Sequence, residues 1–269
     1  MSDPVERAVE RNFIFICGCP RSGTTVLTHL LNWNASVLLG IERFSVLFRR
    51  NREAFTPALF TSIRMPDIQP RDCGYRAFSE REYSAAWARP KDFGQADGFP
   101  LVGDKIPRLF TELVAFEGEA WRDRNVIVLQ IVRNPFDVAN SYERRKANQL
   151  DNWDLDYERA IADWTSALES AERALARSRP KLRFAVISYE KLFEQGFDAL
   201  LDGARRIYEY LGAAPVGEEE LRGLRTLHRN GIQRRGRRVE HPEVRERVIG
   251  KLPADALERF ARLTDQALV

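Results

Sequence analysis

The chain has 269 residues, of which 44% are hydrophobic and 30% are charged, and its formal net charge is +3. This composition is typical of a soluble globular protein with one large domain over 1–269, and no apolar run approaches the roughly 20 residues of a membrane-spanning helix. A net charge this small gives no reason to expect a nucleic-acid partner. The polar segment 1–12 carries no secretion or lipidation signal, so we expect a cytoplasmic location.

Arginine supplies 36 of the 42 basic residues. A GC-rich bacterial genome accounts for such a bias, and the alternative is anion recognition, because guanidinium groups bind phosphate and sulfate in a forked geometry. The three cysteines, Cys17, Cys19 and Cys73, do not indicate a disulfide scaffold, and no second Cys or His pair near the first two indicates a zinc site.

Short apolar runs alternate with helical patterns along the chain. Strands are predicted, in chain order, at Asn12–Cys17, 37–40, 101–103, Asn125–Val132 and 183–188. Helices are predicted at Thr24–Asn32, across 161–175 and across Phe197–Leu211, where apolar residues recur three and four positions apart. Strand followed by helix, repeated, predicts an α/β fold with a parallel sheet flanked by helices.

Two long segments interrupt this pattern. Residues 54–100 are rich in proline, arginine and aromatic residues, so we expect a cover on the acceptor side of an active site, with some helix of its own. Its aromatic side chains either line an apolar pocket or simply pack: Phe55, Phe60, Tyr75, Phe78, Tyr83, Trp87, Phe93 and Phe99. Residues 222–251 are highly charged, with RRGRR at 234–238, and predict either a solvated loop and helix face or an anion-binding segment.

The most informative segment is a glycine-rich turn between the first strand and the first helix. Residues 18–25, GCPRSGTT, lie in the register of the phosphate-loop pattern G-x-x-x-x-G-K-[ST]. Such a turn lets backbone N–H groups point at an anion, and the positive end of the following helix adds to the attraction. The hydroxyl groups of Ser22, Thr24 and Thr25 would add further donors. The alternative is a tight strand-to-helix turn with no ligand.

One position of this loop departs from the nucleotide-hydrolysing pattern. Thr24 stands where a nucleoside triphosphatase has its lysine. Without that lysine, and without an obvious Asp after an apolar strand to hold magnesium, hydrolysis of ATP or GTP is disfavoured. Arg21 supplies positive charge from within the loop, so we expect it to hold a phosphate-like group without a metal.

Residues 20–25, PRSGTT, after an apolar strand resemble the 5′-phosphosulfate loop of sulfotransferases that use 3′-phosphoadenosine 5′-phosphosulfate (PAPS). The form with arginine is similar to that of tyrosylprotein sulfotransferases and many bacterial relatives. The resemblance implies the sulfotransferase fold, a P-loop-type sheet, with PAPS as co-substrate and adenosine 3′,5′-bisphosphate (PAP) as product. It also implies contacts to the 5′-phosphosulfate from five residues: Arg21, Ser22, Gly23, Thr24 and Thr25.

The second match is VRNPFDVANS at 132–141. The family places an arginine at the end of this strand and a serine eight residues later, so the resemblance implies that Arg133 and Ser141 bind the 3′-phosphate. Asn134 can cap the following helix and Pro135 suits its first turn. Arg145, one helical turn beyond Ser141, resembles another 3′-phosphate contact. The alternative for Arg133 is a surface salt bridge.

Shorter matches concern the leaving group and the nucleotide. GDKIP at 103–107 resembles the family's lysine followed closely by proline, which implies that Lys105 stabilises the bridging oxygen as sulfate leaves. The alternative is an exposed lysine. SYEKL at 188–192 resembles a [YR]-E-x-L pattern, in which Tyr189 would touch the nucleotide or simply pack. The RRGRR cluster resembles the C-terminal Arg-Lys-Gly element of cytosolic sulfotransferases in composition only.

An acceptor hydroxyl needs a base within reach. Cytosolic sulfotransferases use a histidine, but none of the three histidines of this chain occupies that position: His29, His228 and His241. Glu42 lies 21 residues after Arg21, in the place where tyrosylprotein sulfotransferases carry their catalytic glutamate, and is the expected base. The alternative is a glutamate that supports a helix dipole. Arg43 and Arg49 would pair with Glu42 or contact an acidic acceptor.

These residues predict direct in-line sulfuryl transfer from PAPS to an acceptor hydroxyl or amine, with Glu42, Lys105 and Arg21 as catalytic residues and no metal. One rival is a P-loop kinase or NTPase, which predicts magnesium-dependent nucleotide turnover. A second rival is a non-catalytic nucleotide-binding protein, which predicts PAP binding without transfer. The acceptor, whether a small molecule, a glycan, a peptide or a lipid, stays open, as does the oligomeric state.

Overall fold

Five parallel strands form the centre of the structure, a computed structural model that describes residues 11–67, 93–148, 153–235 and 242–269. The strands are β1 (Asn12–Cys17), β2 (Val37–Ile41), β3 (Leu101–Lys105), β4 (Asn125–Val132) and β5 (Leu182–Ser188). Their order across the sheet is β2-β3-β1-β4-β5. β1 therefore lies between β3 and β4, and each neighbouring pair of strands is parallel.

Helices connect the strands, as parallel pairing requires. Numbered among the described residues, they are α1 (Thr24–Asn32), α2 (Ser45–Arg50), α3 (Pro135–Lys146), α4 (Tyr157–Ala176), α5 (Tyr189–Phe193), α6 (Phe197–Leu211), α7 (Glu218–Arg235), α8 (Pro242–Ile249) and α9 (Ala256–Asp265). Short 3-10 helices cover Arg52–Ala54, Pro57–Phe60, Phe93–Gly98, Pro107–Glu117 and Glu119–Trp121. Of the helices in the described ranges, none combines the length and apolar character needed to cross a bilayer.

The two faces of the sheet carry separate hydrophobic cores. Side chains alternate along β1, so Phe13 and Phe15 belong to one core while Ile14 and Ile16 belong to the other. The first core also contains side chains of α4 and of the 3-10 helices. The second contains side chains of α1, α6 and α7. Since both faces of the sheet are covered, β4 can be apolar along nearly its whole length.

The fold class predicted from the sequence, an α/β fold with a parallel sheet flanked by helices, is confirmed. The bounds predicted for β1, β4, α1 and α6 match the structure, and Asn134 caps α3 by accepting the N–H of Phe136. Three strands are longer than predicted, and one of them is β5, which begins at Leu182 rather than at 183. β2 extends beyond 37–40, and β3 extends beyond 101–103 to include Asp104 and Lys105.

The structure describes part of each long charged or aromatic segment. Residues 68–92 and 236–241 lie outside the described residues, and with them Cys73, Tyr75, Phe78, Tyr83, Trp87 and His241. The aromatic residues of 54–100 that are described pack rather than line a pocket: Phe55, Phe60 and Phe93 are buried in the first core, and Phe99 packs against it. Much of 222–251 is helical, in α7 and α8.

Candidate active site

The carboxyl ends of the five strands meet at one edge of the sheet, because all of them are parallel. Residues 18–23 follow β1, Glu42 follows β2, Lys105 ends β3, Arg133 follows β4 and Tyr189 follows β5. β1 separates β2 and β3 on one side from β4 and β5 on the other. Open α/β sheets bind ligands in the crevice at such a point. The topology therefore brings site residues predicted in five separate parts of the sequence to one edge.

The loop between β1 and α1 requires glycine at both ends. Gly18 has a φ of 147° and Gly23 a φ of 106°, conformations that favour glycine. A Cβ atom on Gly18 would lie 2.4 Å from the carbonyl oxygen of Ile131, and one on Gly23 would lie 2.5 Å from Cδ2 of Tyr189. The loop is therefore pressed against β4 and against the first residue of α5.

Two residues predicted to be catalytic have a left-handed backbone conformation. Arg21 has a φ of 73° and Glu42 a φ of 54°, and no other non-glycine residue in the described ranges has a positive φ. Such a conformation costs roughly 1–3 kcal/mol per residue and persists only where the surrounding structure holds it. Strain of this kind is concentrated at functional sites, so it marks both residues independently of the sequence motifs.

The hydroxyl groups of the loop differ in exposure. Ser22 is completely buried, and its Oγ has no hydrogen-bond partner among the described residues. Thr24 is also buried, whereas Thr25 is exposed. A buried donor that lacks an acceptor costs roughly 1–3 kcal/mol. Ser22 is therefore an unused donor within the loop.

The predicted 5′- and 3′-phosphate residues form one cluster. Nε of Arg21 donates to Oγ of Ser141 at 3.0 Å, and Nη1 of Arg133 donates to the carbonyl oxygen of Arg21 at 3.3 Å. The guanidinium of Arg133 lies 4.0 Å from the centre of the Tyr189 ring, within the range of a cation–π contact. The structure thus joins the loop, the end of β4, α3 and the start of α5.

Arg133 forms an ion pair with Asp137, four residues later, with 3.8 Å between Nη2 and Oδ2, and its side chain is only 12% exposed. The residue after it is held by Glu190, whose Oε1 accepts the backbone N–H of Asn134 at 2.7 Å. Burial raises the pKa of Glu190, against the lowering effect of the Asn134 N–H. Glu190 therefore ties the start of α3 to the end of β5.

Lys105 and Glu42 form a short ion pair, with 2.6 Å between Nζ and Oε1. The Lys105 side chain is 2% exposed, so it is not the exposed lysine of the alternative interpretation, and a buried ammonium requires the paired charge that Glu42 supplies. Glu42 lies in the turn before α2, whose first residue is Ser45, and so does not belong to a helix terminus. Gly18, at the start of the loop, donates its N–H to the carbonyl oxygen of Pro107 at 3.0 Å, which places the two strand ends side by side.

Asp104, next to Lys105 in β3, is completely buried. Its carboxylate accepts the N–H of Arg43 at 3.3 Å and that of Phe44 at 2.9 Å. Burial raises the pKa of Asp104 to about 7, against the lowering effect of these two N–H groups and of the nearby charges on Lys105 and Arg43. Asp104 was not among the residues predicted for the site, because the predicted strand ended at 103 and a lone carboxylate in a sequence does not reveal whether it is buried.

A second buried carboxylate lies behind the phosphate loop. Oδ2 of Asp163 in α4 accepts hydrogen bonds from the Tyr142 hydroxyl at 2.9 Å and from Nη2 of Arg108 at 2.5 Å. Burial, with Asp163 nearby, raises the pKa of the Cys19 thiol in the loop. Tyr142 directly follows Ser141, so the Asp163 cluster supports α3 next to the residue that Arg21 contacts. The α4 pattern predicted only an apolar face and missed this polar residue.

Three other arginines named in the sequence predictions were Arg43, Arg49 and Arg145, and each has its own surroundings in the structure. The guanidinium of Arg145 lies 4.3 Å from the centre of the Trp153 ring. Arg43 lies 4.0 Å from the centre of the Phe93 ring and donates to the carbonyl oxygen of Met65, so it anchors the turn after β2 to the 54–100 segment. Arg49 is exposed.

The histidines and cysteines that are described take packing positions. His29 is buried in α1, and the His228 ring packs against the Phe197 ring with 5.7 Å between centres. Cys17 and Cys19 are buried free thiols. Within the ranges that the structure describes, no cluster of three or more His, Cys, Asp or Glu side chains is arranged to hold a metal ion.

Comparisons with known proteins bear on the family. A family model described as "Sulfotransferase family" matches residues 13–216 of the chain. A search of curated proteins found no match to the chain. The structure of a sulfotransferase from Alicyclobacillus acidocaldarius aligns with a TM-score of 0.50 and 17% identity, over 95% of this chain and 96% of that chain. This likeness shows a shared fold.

Two other solved structures align less closely. The sulfotransferase domain from the curacin biosynthetic pathway gives a TM-score of 0.49 and 18% identity, over 79% of this chain and 77% of that chain. Mouse sulfotransferase SULT7A1, complexed with PAP, gives a TM-score of 0.45 and 14% identity, over 81% of this chain and 65% of that chain.

The parallel sheet and the glycine-bounded loop at its central strand define a P-loop-type α/β protein. The family match covers most of the chain and includes every residue predicted for the site. The chain therefore belongs to the sulfotransferase family, and sulfuryl transfer is the activity that this membership supports.

Proposed function

We propose that this chain transfers a sulfuryl group from PAPS to an acceptor hydroxyl or amine, with Glu42 as the base. The observation that carries the proposal is the cluster in which Arg21 of the loop contacts Ser141 and Arg133. A loop that binds the 5′-phosphosulfate and an adjacent arginine–serine pair that binds a second phosphate match a ligand with both groups. ATP has no 3′-phosphate, so this pair favours PAPS over ATP.

The residues at this edge fit such a ligand. Gly18 and Gly23 leave the loop free of side chains at both ends, where a Cβ atom would collide with its neighbours. Ser22 Oγ and Arg133 Nε are buried donors with no hydrogen-bond partner among the described residues. An anion in the loop would supply the acceptors that these donors lack, and hydrogen bonds between arginine and phosphate are among the strong ones.

The chemistry follows from the pairing of Lys105 with Glu42. PAPS, when bound, supplies the sulfuryl group and a bridging oxygen on which negative charge develops. The oxygen or nitrogen of the acceptor bonds to sulfur, and Glu42 takes the proton that this atom loses. At the same time the bond from sulfur to the bridging oxygen breaks, and PAP is the leaving group. An ammonium has three donors, so Lys105 can orient Glu42 and also donate to the bridging oxygen. Arg21 and the loop N–H groups hold the 5′ end in place.

The acceptor side is proposed to lie along 54–100, within a single domain over 1–269. Support comes from the turn that carries Glu42. Arg43, the next residue, stacks on Phe93 and donates to the carbonyl oxygen of Met65, so both described ends of the segment lie beside the proposed base. An acceptor held between this segment and the loop would face Glu42.

Calorimetric titration of the whole chain with PAP and, separately, with ATP and magnesium tests the donor. We expect PAP to bind and ATP with magnesium to bind far more weakly. Binding of ATP with magnesium in preference to PAP would contradict the proposal and favour the kinase or NTPase. Transfer from labelled PAPS to a panel of phenols, sugars, amines and peptides then tests the activity, and PAP binding without transfer to any acceptor would favour the non-catalytic alternative.

A further inference from the structure

Asp104 is a buried carboxylate for which neither nucleotide binding nor proton transfer provides a role. It lies one residue before the end of β3, beside Lys105, and is completely buried. Placing an ionised carboxylate in the interior is unfavourable unless specific donors satisfy it. The groups that donate hydrogen bonds to the Asp104 carboxylate therefore indicate its role.

Each oxygen of the Asp104 carboxylate accepts one backbone N–H from the turn after β2. Oδ1 accepts the N–H of Arg43 at 3.3 Å, and Oδ2 accepts the N–H of Phe44 at 2.9 Å. These are the two residues that directly follow Glu42. The carboxylate thus closes the turn from the neighbouring strand, with one acceptor oxygen for each N–H.

Gly40 makes room for this contact. Gly40 is the register partner of Asp104 across the β2–β3 pair. A Cβ atom on Gly40 would lie 2.9 Å from Oδ1 of Asp104 and 2.6 Å from Cδ of Arg43. A larger residue at position 40 would therefore push against both the Asp104 carboxylate and the Arg43 side chain of the turn.

Glu42 is the residue that this turn holds in an unfavourable conformation. Its φ is 54°, its N–H donates to the carbonyl oxygen of Lys105 at 2.9 Å, and its carboxylate pairs with Nζ of Lys105 at 2.6 Å. A left-handed residue with a side chain persists only if its neighbours over-determine it. Lys105 fixes Glu42 from one side, and the hydrogen bonds from Arg43 and Phe44 to Asp104 fix the turn from the other.

We propose that Asp104 is a positioning residue for sulfuryl transfer: with Gly40 opposite it, Asp104 holds the left-handed turn that presents the Glu42 carboxylate to Lys105 and to the acceptor. The inference rests on the proposed function of Glu42 as the base. Asp104 itself is completely buried, so it takes no part in proton transfer. Its charge faces two cations, Arg43 of the turn and Lys105 of its own strand.

Asp104→Asn provides the test, because asparagine keeps the size of the side chain but replaces one acceptor with an NH2 group that would face a backbone N–H. We expect hydrogen exchange at the Arg43 and Phe44 amides to accelerate about 10-fold or more, since a hydrogen bond to a charged group is lost. We expect kcat for transfer from labelled PAPS to an acceptor identified from the panel of phenols, sugars, amines and peptides to fall about 10-fold or more, while the Kd for PAP changes less than about 2-fold. Asp202→Asn, at an exposed carboxylate of α6, is the matched control and should change neither quantity.

Gly40→Ala is the second variant, and it tests the same contact if the Asp104 variant folds poorly. It should give the same pattern, with faster exchange at the two amides and lower kcat. Unchanged exchange at both amides in a folded variant would overturn the proposal. So would a loss of PAP affinity equal to the loss of kcat, because a general structural role would lower both. Normal turnover in Glu42→Gln would instead overturn the assignment of the base, whatever the exchange data show for Asp104.

Discussion

Nε of Arg21 lies 3.0 Å from Oγ of Ser141, although the two residues are 120 positions apart in the chain. The contact joins the phosphate loop to α3, the two elements that we propose bind the 5′-phosphosulfate and the 3′-phosphate of PAPS. Arg133 strengthens the junction by donating to the carbonyl oxygen of Arg21. A substitution in either element is therefore expected to affect the other, and binding tests must separate the two phosphate groups.

Arg133→Ala should weaken PAP binding about 10- to 100-fold, because charge-assisted hydrogen bonds to a phosphate are lost. Binding of adenosine 5′-monophosphate, which lacks the 3′-phosphate, should change much less. Calorimetric titration of both nucleotides gives the comparison. Arg205→Ala, at an exposed arginine of α6, is the control. An equal loss of affinity for both nucleotides would show that Arg133 supports the loop rather than the 3′-phosphate.

Glu42→Gln should leave the Kd for PAP within about 2-fold of the wild-type value and reduce transfer at least about 100-fold, the usual contribution of a positioned base. Glutamine keeps the size of the side chain but cannot accept a proton at neutral pH. Transfer from labelled PAPS to the acceptor measures the effect. Glu209→Gln, an exposed residue of α6, serves as the matched control. Turnover close to wild type would remove Glu42 from the mechanism.

Gly23→Ala should lower PAP affinity more than its backbone strain alone explains. Its Cβ atom would lie 2.5 Å from Cδ2 of Tyr189, so the loop or the ring must move. Gly212→Ala is a closely matched comparison, because Gly212 also has a positive φ, 70°, but has no atom within 4 Å of the added Cβ. We expect both variants to lose stability in denaturant unfolding and only Gly23→Ala to lose PAP affinity. Equal PAP affinity in the two variants would contradict a tightly packed loop.

The stability of the fold should depend on pH through Asp104. The pKa of an aspartate in an unfolded chain is about 3.9, and burial raises the pKa of Asp104 to about 7. Between these values the folded state binds more protons than the unfolded state, so the free energy of unfolding falls as pH rises and levels off above about 7.

Asp104→Asn removes this titration, so the loss of stability between pH 5 and pH 8 should be smaller in the variant by about 1 kcal/mol or more. Denaturant unfolding at the two pH values measures the difference, and contributions from titratable groups that do not interact with Asp104 cancel in the comparison. An equal pH dependence in both proteins would indicate that Asp104 does not titrate in this range. Ionised Asp104 would then hold the Glu42 turn at a cost in stability, as is common at functional sites.

Most of the fold could be predicted from local patterns. The apolar runs at Asn12–Cys17 and Asn125–Val132 predicted strands with the bounds that the structure has, because residues buried on both faces leave no polar positions. The pattern in 101–103 ended too early. Asp104 and Lys105 are charged, so nothing local indicated that the strand continues through them; the donors that satisfy them come from β2 and the turn after it.

Some features of the candidate site could likewise be predicted from local sequence, and others could not. Phosphate-loop glycines, the cap at Asn134 and the spacing from Arg133 to Ser141 are local features, and the sequence was sufficient to identify them. Glu190 and Asp163 were given no role, because each is defined by partners far along the chain: the Asn134 N–H for one, and Tyr142 for the other. A lone carboxylate in a sequence does not reveal whether it will be exposed or buried.

The sequence by itself thus determined the parallel α/β architecture, the glycine-bounded loop and the family resemblance, since periodicity and turn chemistry act over a few residues. Only the tertiary structure decided that Lys105 is buried against Glu42, that Arg21 reaches Ser141, and that Asp104 closes the turn at Glu42. Those contacts depend on the order β2-β3-β1-β4-β5, which sets which strand ends are neighbours. Burial and left-handed backbone angles arise from that packing and leave no local pattern from which they could have been predicted.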